Sequence, residues 1–371
     1  MQPLEGLLIL DFSTLLPGPC ASLILAEAGA RVLKIEKPER GDEMRTYEPK
    51  LGDDSINFSM LNRGKQSIAI DLKAPDSVAR LKPLIERADV LIEQFRPGVM
   101  DRLGLGYEAV RRMNPRLIYC SITGWGQTGP KSRSAGHDLN YMAETGVLGL
   151  TGGTDGAPVL PPVLAADIAG GAYPAVMNIL LAVMQRDRTG RGSYLDVAMA
   201  DNLYTFLYWG LGNGHALGKW PGRGDEIVTG GSARYQIYPT SDGRHVAAAP
   251  LEDKFWSTFC ELIDLPIALR LDDAPVEEVR AAVAERIASA TAAHWREVFA
   301  GQDVCCSIVA TLKEGVEDEH VRARGLFDRQ LEVDGRKLPA LPVPVASVFR
   351  AQNVCASAPR LNETQDPLLI I

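Results

Sequence analysis

Residues 7–35 read LLILDFSTLLPGPCASLILAEAGARVLKI, and this stretch predicts a strand, a helix and a second strand in succession. Residues 7–12 and 31–35 are short apolar runs, which are typical of strands in a buried sheet. Residues 19–30 between them have the length and composition of a helix. Because a strand, a crossover helix and another strand form a parallel pair, this unit indicates an α/β fold.

The same alternation continues through the first 130 residues. We predict further strands at 67–72, 90–92 and 117–122 and further helices at 76–87 and 107–113. In a parallel sheet of this kind, ligands bind at the carboxyl ends of the strands, near the switch in strand order. Four acids fall at such ends, and each could contribute to a site, cap a helix or face solvent: Asp11, Glu36, Asp71 and Glu93.

The chain from residue 170 onward has a different pattern, which predicts a second domain. The predicted elements are a helix at 170–186, a strand at 193–198, a helix at 201–216, hairpin strands at 235–239 and 245–249, and helices at 254–263, 276–288 and 292–300. Gly243 in the hairpin turn suits a left-handed conformation. We expect a large domain of residues 1–200 completed by 330–371, a small domain of residues 225–325, and a linker helix region of residues 201–224.

The composition argues against several classes of partner and site. The 371 residues carry a net charge of -8, whereas nucleic-acid binding depends on clustered Lys and Arg, so we expect no nucleic-acid partner. No apolar run suggests a signal sequence or a membrane span, so we expect no membrane association. The six cysteines lack C-x-x-C spacing, which favours reduced thiols, a cytoplasmic location and no metal site.

The most informative local motif is Gly136-His137-Asp138-Leu139-Asn140-Tyr141, which places an imidazole beside a carboxylate. A second isolated acid, Asp167, follows in the stretch AADIAGG at 165–171. A histidine and a carboxylate can move a proton off one face of a carbon and return it to the other face. The motif alone also allows His137 to cap or pack at a loop.

Basic side chains cluster after the predicted strands of the first domain. On an acidic protein such a cluster suggests phosphate recognition without a metal, although any one of these cations could instead form an ordinary surface salt bridge. The candidate cations are Lys37, Arg40, Arg63, Lys65, Lys73, Arg96 and Arg102.

Several ordered motifs together resemble the family III CoA-transferase superfamily, the CaiB/BaiF group, over about residues 4–349. That superfamily contains CoA transferases and α-methylacyl-CoA racemases. The motifs that carry the resemblance are Arg96-Pro97-Gly98, Arg102-Leu103-Gly104, residues 123–130 (TGWGQTGP), Gly136-His137-Asp138, Thr189-Gly190-Arg191-Gly192 and the hairpin residues Tyr238, Thr240, Asp242 and Gly243.

The resemblance implies a Rossmann-like large α/β domain, a smaller α+β domain and an interlocked homodimer with its active sites at the dimer interface. It also implies that CoA enters as part of an acyl-CoA substrate held by the first domain, with no permanently bound cofactor. Arg40, Lys73 and Arg102 would then contact the phosphates of CoA, and Arg96 would lie near the thioester.

Within this family, the residue matching Asp167 serves two chemistries. In the transferases it attacks the acyl thioester as a nucleophile, and in the racemases it exchanges a proton with an enolate opposite a histidine. His137 favours the racemase branch, because transferases usually carry a non-basic residue there. Glu252 matches a glutamate that orients this histidine, although on its own it could equally be a first-turn helix acid.

Stabilisation of the enolate oxygen requires preorganised donors, which we expect from backbone amides at residues 167–171. A helix beginning near Gly170 would direct its N-terminal N–H groups at that oxygen. Ala169, Gly170 and Gly171 would also let the thioester approach the backbone closely.

The sequence therefore predicts an isomerase that racemises the α-carbon of a 2-methyl-branched acyl-CoA. His137 and Asp167 would exchange the α-proton, and Glu252 would orient His137. The alternatives are a CoA transferase that acts through a covalent Asp167 intermediate, and a CoA-binding protein without either activity.

Overall fold

The computed structural model of the protein describes residues 2–152, 156–351 and 355–364. Within these residues the strands are β1 Leu8–Asp11, β2 Arg31–Glu36, β3 Lys50–Leu51, β4 Asp54–Ser55, β5 Gln66–Ala69, β6 Val90–Glu93, β7 Ile118–Thr123, β8 Tyr194–Ala198, β9 Gln236–Pro239, β10 His245–Ala248, β11 Cys306–Ile308, β12 Gln330–Val333, β13 Arg336–Pro339 and β14 Cys355–Ser357.

A π-helical segment, Ala165–Ala172, leads directly into the longest α-helix. In the described part of the chain, the α-helices are α1 Pro17–Glu27, α2 Ile56–Asn62, α3 Ser77–Arg87, α4 Val99–Arg102, α5 Tyr107–Met113, α6 Asp138–Glu144, α7 Tyr173–Thr189, α8 Met199–Leu203, α9 Tyr208–Leu217, α10 Asp253–Leu262, α11 Val276–Ala288, α12 Ala292–Phe299, α13 Leu312–Val316 and α14 Glu319–Ala323.

The central sheet is parallel throughout and has the strand order β5-β2-β1-β6-β7-β8. This is the doubly wound order in which the chain reverses direction across the sheet between β1 and β6. The loops that leave the carboxyl ends of those two strands therefore diverge and leave a crevice between them. The predicted α/β class with a parallel sheet is confirmed.

Both faces of the central sheet are buried, as the continuous apolar character of its strands requires. On one face, Leu10 of β1 and Leu91 of β6 belong to a core cluster with Leu81 and Leu84 of α3. The alternate residue Ile9 is also buried and lies on the opposite face, because successive side chains of a strand point to opposite sides.

The observed elements agree with most of the predicted ones. Helices α5 and α11 have the predicted bounds, and β9 and β10 form the predicted antiparallel hairpin with Gly243 at φ +76. The single helix predicted at 201–216 is wrong, because a 3-10 segment, Tyr204–Leu207, separates α8 from α9.

The chain divides into two compact units. The first contains Met1–Thr145, Pro162–Thr205 and Arg322–Ile371, and the second contains Gly146–Pro161 and Phe206–Val321. The expected tail of the large domain, 330–371, belongs to the first unit, although residues 352–354 and 365–371 of it lie outside the described residues. There β12 pairs antiparallel with β13 and parallel with β14.

The second unit contains a three-stranded antiparallel sheet in the order β11-β10-β9. Its core is rich in aromatic side chains, because Trp256 and Phe259 of α10 and Trp295 of α12 pack with Tyr238 of the sheet. The unit therefore has a hydrophobic core of its own.

The helical run Ala165–Thr189 is long and apolar enough to cross a membrane by length and composition, with a mean hydropathy of 1.4 over its most apolar window. Length and hydropathy alone are weak evidence for a membrane span, because a core helix of a soluble protein can have the same length and hydropathy. Ala175, Ile179 and Ala182 of this helix are buried in the first unit.

Candidate active site

A cavity of about 290 Å³ lies where the loops from the carboxyl ends of the central strands meet, within the first unit. Its wall includes Leu15–Pro17 after β1, Gln94–Pro97 after β6 and Trp125 after β7. His137 and Asp167 both line it, so the structure brings together the two side chains that the sequence predicted as an acid/base pair. We call it the His–Asp cavity.

The loop before α6 holds His137 at the wall of this cavity. The imidazole is exposed, and the backbone N–H of His137 donates to Asn140 Oδ1 at 3.0 Å. The preceding carbonyl, that of Gly136, accepts a hydrogen bond from the buried Tyr141 hydroxyl at 2.6 Å. The peptide group between Gly136 and His137 is therefore fixed at both its N–H and its carbonyl, while the His137 ring stays accessible.

Glycine is required on both sides of the Tyr141 ring. A Cβ at Gly124 would lie 2.4 Å from ring atoms of Tyr141, and a Cβ at Gly136 would lie 2.8 Å from them. Trp125 packs edge-on against the same ring, with 5.3 Å between the ring centroids. Tyr141 is thus a functional-site residue that the sequence analysis missed, although the glycine before His137 was a visible signal of the close approach.

Asp167 lies in the first turn of the π-helical segment and is partly buried. The pKa of its carboxyl is raised to about 6, chiefly by burial and next by the charge of Asp138, while His137 acts to lower it. The buried side chain of Asp138 also accepts the backbone N–H of Asp167 at 2.9 Å. Asp138 therefore ties α6, which follows His137, to the segment that carries Asp167.

The prediction that a helix begins near Gly170 is wrong, because the helical run begins at Ala165 and Gly170 lies inside it. A Cβ at Gly170 would lie 2.5 Å from the Met199 carbonyl oxygen, and one at Gly171 would lie 3.0 Å from the Met199 side chain. These glycines therefore allow close packing of the segment on α8. Their expected role beside the thioester stays a prediction. Asn202 Nδ2 donates to the Gly170 carbonyl at 2.7 Å and braces the same contact.

Arg96 lies on the loop after β6 and lines the His–Asp cavity. Its guanidinium is exposed and forms no ion pair with any residue that the structure describes. Gln94 holds this loop, because its Nε2 donates to Thr14 O at 2.6 Å and its Oε1 accepts from Gly18 N–H at 3.1 Å. The buried Glu93 contributes as well, since its carboxylate accepts the Phe95 N–H at 2.7 Å.

The pKa of Glu93 is raised to about 7, chiefly by burial. Of the four acids expected at strand exits, Asp11 and Glu36 are also buried, and both are paired with cations within the core. Asp71 is exposed at the wall of a neighbouring cavity.

This neighbouring cavity, of about 410 Å³, lies beside β1, β2 and β5, and we call it the strand-exit cavity. Lys73 and Arg102 line it, and both are exposed without an ion pair among the described residues. Lys37 lines it as well, at 3.5 Å from Glu43. Much of the wall is apolar, with Phe12, Ile35, Ile70, Leu72, Phe95 and Leu103.

Arg40, the remaining predicted phosphate contact, is exposed on the loop after β2 but does not line the cavity. Arg63 and Lys65 were wrong as ligand-binding candidates. Arg63 is buried against Glu27 at 2.9 Å, and Lys65 is fully buried at 3.4 Å from Asp11. Both cations stabilise the interior of the first unit.

Glu252 belongs to the second unit and occupies the N-cap position of α10. Its side chain is exposed and does not cap the helix. The Glu252 carboxylate forms no hydrogen bond or ion pair with any residue that the structure describes in this chain. Its predicted contact with His137 therefore stays a prediction.

His137 and Asp167 can act as acid/base groups or as a nucleophile on a ligand in the His–Asp cavity. The exposed cations of the strand-exit cavity can bind an anionic part of the same ligand. Within residues 2–152, 156–351 and 355–364, no group of three or more His, Cys, Asp or Glu side chains could hold a metal ion. The described cysteines, from Cys20 to Cys355, are all free thiols.

Comparison with known proteins identifies the family of the chain. A family model described as CoA-transferase family III matches residues 4–365. The chain is 36% identical to the α-methylacyl-CoA racemase of Homo sapiens, over 91% of this chain and 85% of the relative. It is 34% identical to the acetyl-CoA:oxalate CoA-transferase of Acetobacter aceti, over 97% of this chain and 93% of the relative.

A solved structure, a CAIB/BAIF family protein from Brucella suis, matches the fold with a TM-score of 0.84 and 31% sequence identity. That match covers 100% of this chain and 99% of the other. The resemblance found in the sequence motifs is thus confirmed over nearly the full length, and the chain belongs to CoA-transferase family III.

Proposed function

We propose that the protein is an α-methylacyl-CoA racemase-like isomerase. The observation that carries this proposal is the presence of His137 and Asp167 in one cavity, with the pKa of Asp167 raised to about 6. A carboxyl with a pKa close to the working pH can both accept and return a proton, as two-way exchange at a carbon requires. The similarity to the human racemase supports the same activity.

In this mechanism the ionised Asp167 removes the α-proton of the acyl thioester, and the electron pair of the broken C–H bond moves into an enolate. His137 then delivers a proton to the other face of the same carbon, which inverts its configuration. In the reverse direction the two groups exchange roles. Arg96 is an exposed cation that lines the same cavity, and it would stabilise the negative charge on the enolate oxygen.

The nucleotide end of the acyl-CoA would occupy the strand-exit cavity. Its apolar wall suits the adenine ring, and Lys73 and Arg102 at its rim suit the phosphates. Arg40 would reach the phosphates from the adjacent loop. Phe95 lines both cavities, so a ligand that extends past Phe95 would carry its thioester to Asp167.

The exposed imidazole of His137 and the exposed carboxylate of Glu252 also fit an active site completed by a second copy of the chain. We propose that the protein forms an interlocked homodimer in which Glu252 of one copy orients His137 of the other. A carboxylate in that position would favour the imidazolium form, which is the proton donor. We also propose a cytoplasmic location for this enzyme.

The test is α-proton exchange on a panel of 2-methyl-branched acyl-CoAs in deuterated water. We expect deuterium at the α-carbon together with inversion. In Asp167→Asn we expect inversion to be lost, together with exchange on the enantiomer whose α-proton Asp167 removes. His137→Ala should abolish inversion while it leaves CoA binding intact. Absence of label from every substrate of the panel would eliminate the racemase proposal.

The second candidate function is CoA transfer between carboxylic acids through Asp167. It is supported by the 34% identity to the oxalate CoA-transferase and by the accessible carboxylate of Asp167 in the His–Asp cavity. Asp167 would attack the thioester carbonyl and release CoA as the thiolate, which leaves an acyl-aspartyl anhydride. Hydroxylamine would then trap the activated carboxyl, and His137→Ala would retain most of the transferase activity.

A further inference from the structure

Asp42 is a fully buried carboxylate that contacts the walls of both cavities. It lines the strand-exit cavity itself. Its Oδ1 accepts the backbone N–H of Leu15 at 3.0 Å, and Leu15 lines the His–Asp cavity. The same oxygen accepts the N–H of Met44 at 3.0 Å. One side chain therefore joins the loop after β2 to the loop after β1.

The backbone of Leu15 needs such support. Its φ is +61, in the left-handed region that a residue with a large side chain rarely adopts. A conformation of this kind persists only where neighbouring groups hold it. The hydrogen bond from the Leu15 N–H to Asp42 is a contact of that type, so the shape of this part of the His–Asp cavity depends on Asp42.

Lys34 strengthens the connection. Its Nζ lies 2.9 Å from Asp42 Oδ2 and donates to the Ser13 carbonyl at 2.7 Å, and the Lys34 and Asp42 side chains are both fully buried. Removal of one partner from such a pair is costly, because it leaves a buried charge without compensation. The pair thus fixes Ser13 and Leu15 relative to the loop that contains Asp42.

Glu36 and Arg45 also hold the loop that contains Asp42. The buried carboxylate of Glu36 accepts the Asp42 N–H at 2.8 Å and forms a two-point contact with Arg45 at 2.7 and 2.8 Å. A displacement of the strand-exit wall by a bound ligand would therefore move Asp42 together with its loop.

We propose that Asp42 is a positioning residue that couples occupation of the strand-exit cavity to the geometry of the His–Asp cavity. This inference rests on the proposed function in one respect, namely that the nucleotide end of the substrate occupies the strand-exit cavity. Through Asp42 and Leu15, binding energy from the remote nucleotide is used to hold the wall against which the thioester reacts.

The first experiment compares α-proton exchange on an acyl-CoA with exchange on the matching acyl-pantetheine, which lacks the nucleotide. The substrate ratio is kcat on the acyl-CoA divided by kcat on the acyl-pantetheine. We expect this ratio to fall by about tenfold or more in Asp42→Ala, with little change in the Kd for CoA. Asp42→Asn keeps an oxygen for the Leu15 N–H and should retain part of the advantage. Equal losses on both substrates, or a loss confined to KM, would overturn the coupling.

Glu27→Gln is the matched control, because Glu27 is a buried carboxylate that pairs with Arg63 in the same unit and lines neither cavity. Its substrate ratio should equal that of the wild type. If Glu27→Gln lowers the ratio as Asp42→Ala does, the effect is a general loss of stability and the proposal is wrong.

A second readout needs no turnover. Adenosine 3′,5′-bisphosphate, the nucleotide fragment of CoA, should change the emission of Trp125 in the His–Asp cavity, and Trp125→Phe identifies that signal. The Asp42→Ala variant should still bind adenosine 3′,5′-bisphosphate, as measured by calorimetry, but its Trp125 emission should not change on binding. Persistence of the change in that variant would refute the coupling. Failure of the wild type to bind the fragment would overturn both proposals, whereas binding without α-exchange would remove only the racemase.

Discussion

Asp138 affects the reactivity of Asp167 in two separable ways. Its charge raises the pKa of Asp167, after the larger effect of burial, and its Oδ1 accepts the Asp167 N–H. Asparagine at position 138 would remove the charge but keep an oxygen for the N–H. The two effects can therefore be separated by one substitution.

We expect kcat/KM for abstraction by Asp167 to fall as the pH decreases below about 6, because the protonated carboxyl is no base. In Asp138→Asn the pKa of Asp167 decreases, so this acid limb should move to lower pH. The measurement is a pH profile of α-exchange. Asp71→Asn, which removes a carboxylate at the other cavity, should leave the limb in place, and an unmoved limb in Asp138→Asn would contradict the assignment.

The same pKa shift also affects stability. The pKa of Asp167 in the folded protein lies above the ordinary value of 3.8, so the folded state binds this proton more tightly than the unfolded state does. The free energy of unfolding attributable to this group therefore decreases as the pH rises from about 4 to about 6. The raised pKa therefore makes the folded state less stable near neutral pH, and it also provides a base that titrates in that range.

Sequence reasoning found His137 and Asp167 because their residue types are rare or isolated in the chain. It missed Tyr141, Gln94 and Asp42, whose roles depend on hydrogen bonds to backbone groups, and for Gln94 and Asp42 these groups lie on loops distant in the sequence. It left Arg63 and Lys65 open as phosphate contacts or salt-bridge cations, because a cation reads the same in the sequence whether it faces solvent or a buried carboxylate. Burial, which decides between those cases, is a property of the packed chain.

The π-helical segment Ala165–Ala172 sets the position of Asp167 by its contact with α8. The sequence predicted a helix in this region but placed its start near Gly170, at the glycines. Gly170 lies where the Met199 carbonyl approaches the segment, and Gly171 lies against the Met199 side chain. Strands and amphipathic helices were predictable because their periodicity repeats, whereas this contact depends on one backbone atom from another element.

Gly170→Ala tests the contact between the segment and α8. Its new Cβ would lie 2.5 Å from a backbone oxygen, so we expect a loss of about 1–3 kcal/mol in the free energy of unfolding and slower α-exchange. Urea unfolding and the exchange assay measure the two effects. Gly212→Ala in α9 meets no atom within 4 Å and should be neutral or stabilising by up to about 1 kcal/mol. Equal stability of the two variants would refute this account.

Helix α7 presents an unpartnered apolar stripe on the first unit. Tyr173, Met177, Leu180, Leu181 and Met184 are exposed at spacings that place them on one side of the helix. Monomeric soluble proteins rarely expose such a continuous apolar surface. The stripe suits an apolar partner surface, and we propose that this partner is the second copy of the chain.

Leu181→Glu should therefore weaken self-association, because it places a charge in the centre of the stripe. Sedimentation velocity at several protein concentrations measures the effect, and loss of the dimer should be accompanied by loss of α-exchange. Ala79→Glu, at an exposed position of α3, introduces the same side chain elsewhere and should leave the oligomeric state unchanged. A dimer that persists in Leu181→Glu would place the interface elsewhere.

Residues 362–364 pack against the sheet of the first unit. The edge strand β5 is covered there, because the Ala69 N–H donates to Asn362 Oδ1 at 2.9 Å and the Thr364 N–H donates to the Ser67 carbonyl at 3.1 Å. On the ribosome, β5 emerges almost three hundred residues before these partners do. Throughout that interval the nascent sheet has an open edge that can pair with other chains. Native closure of this edge therefore requires residues 362–364, and we expect a chain that lacks them to expose the β5 edge.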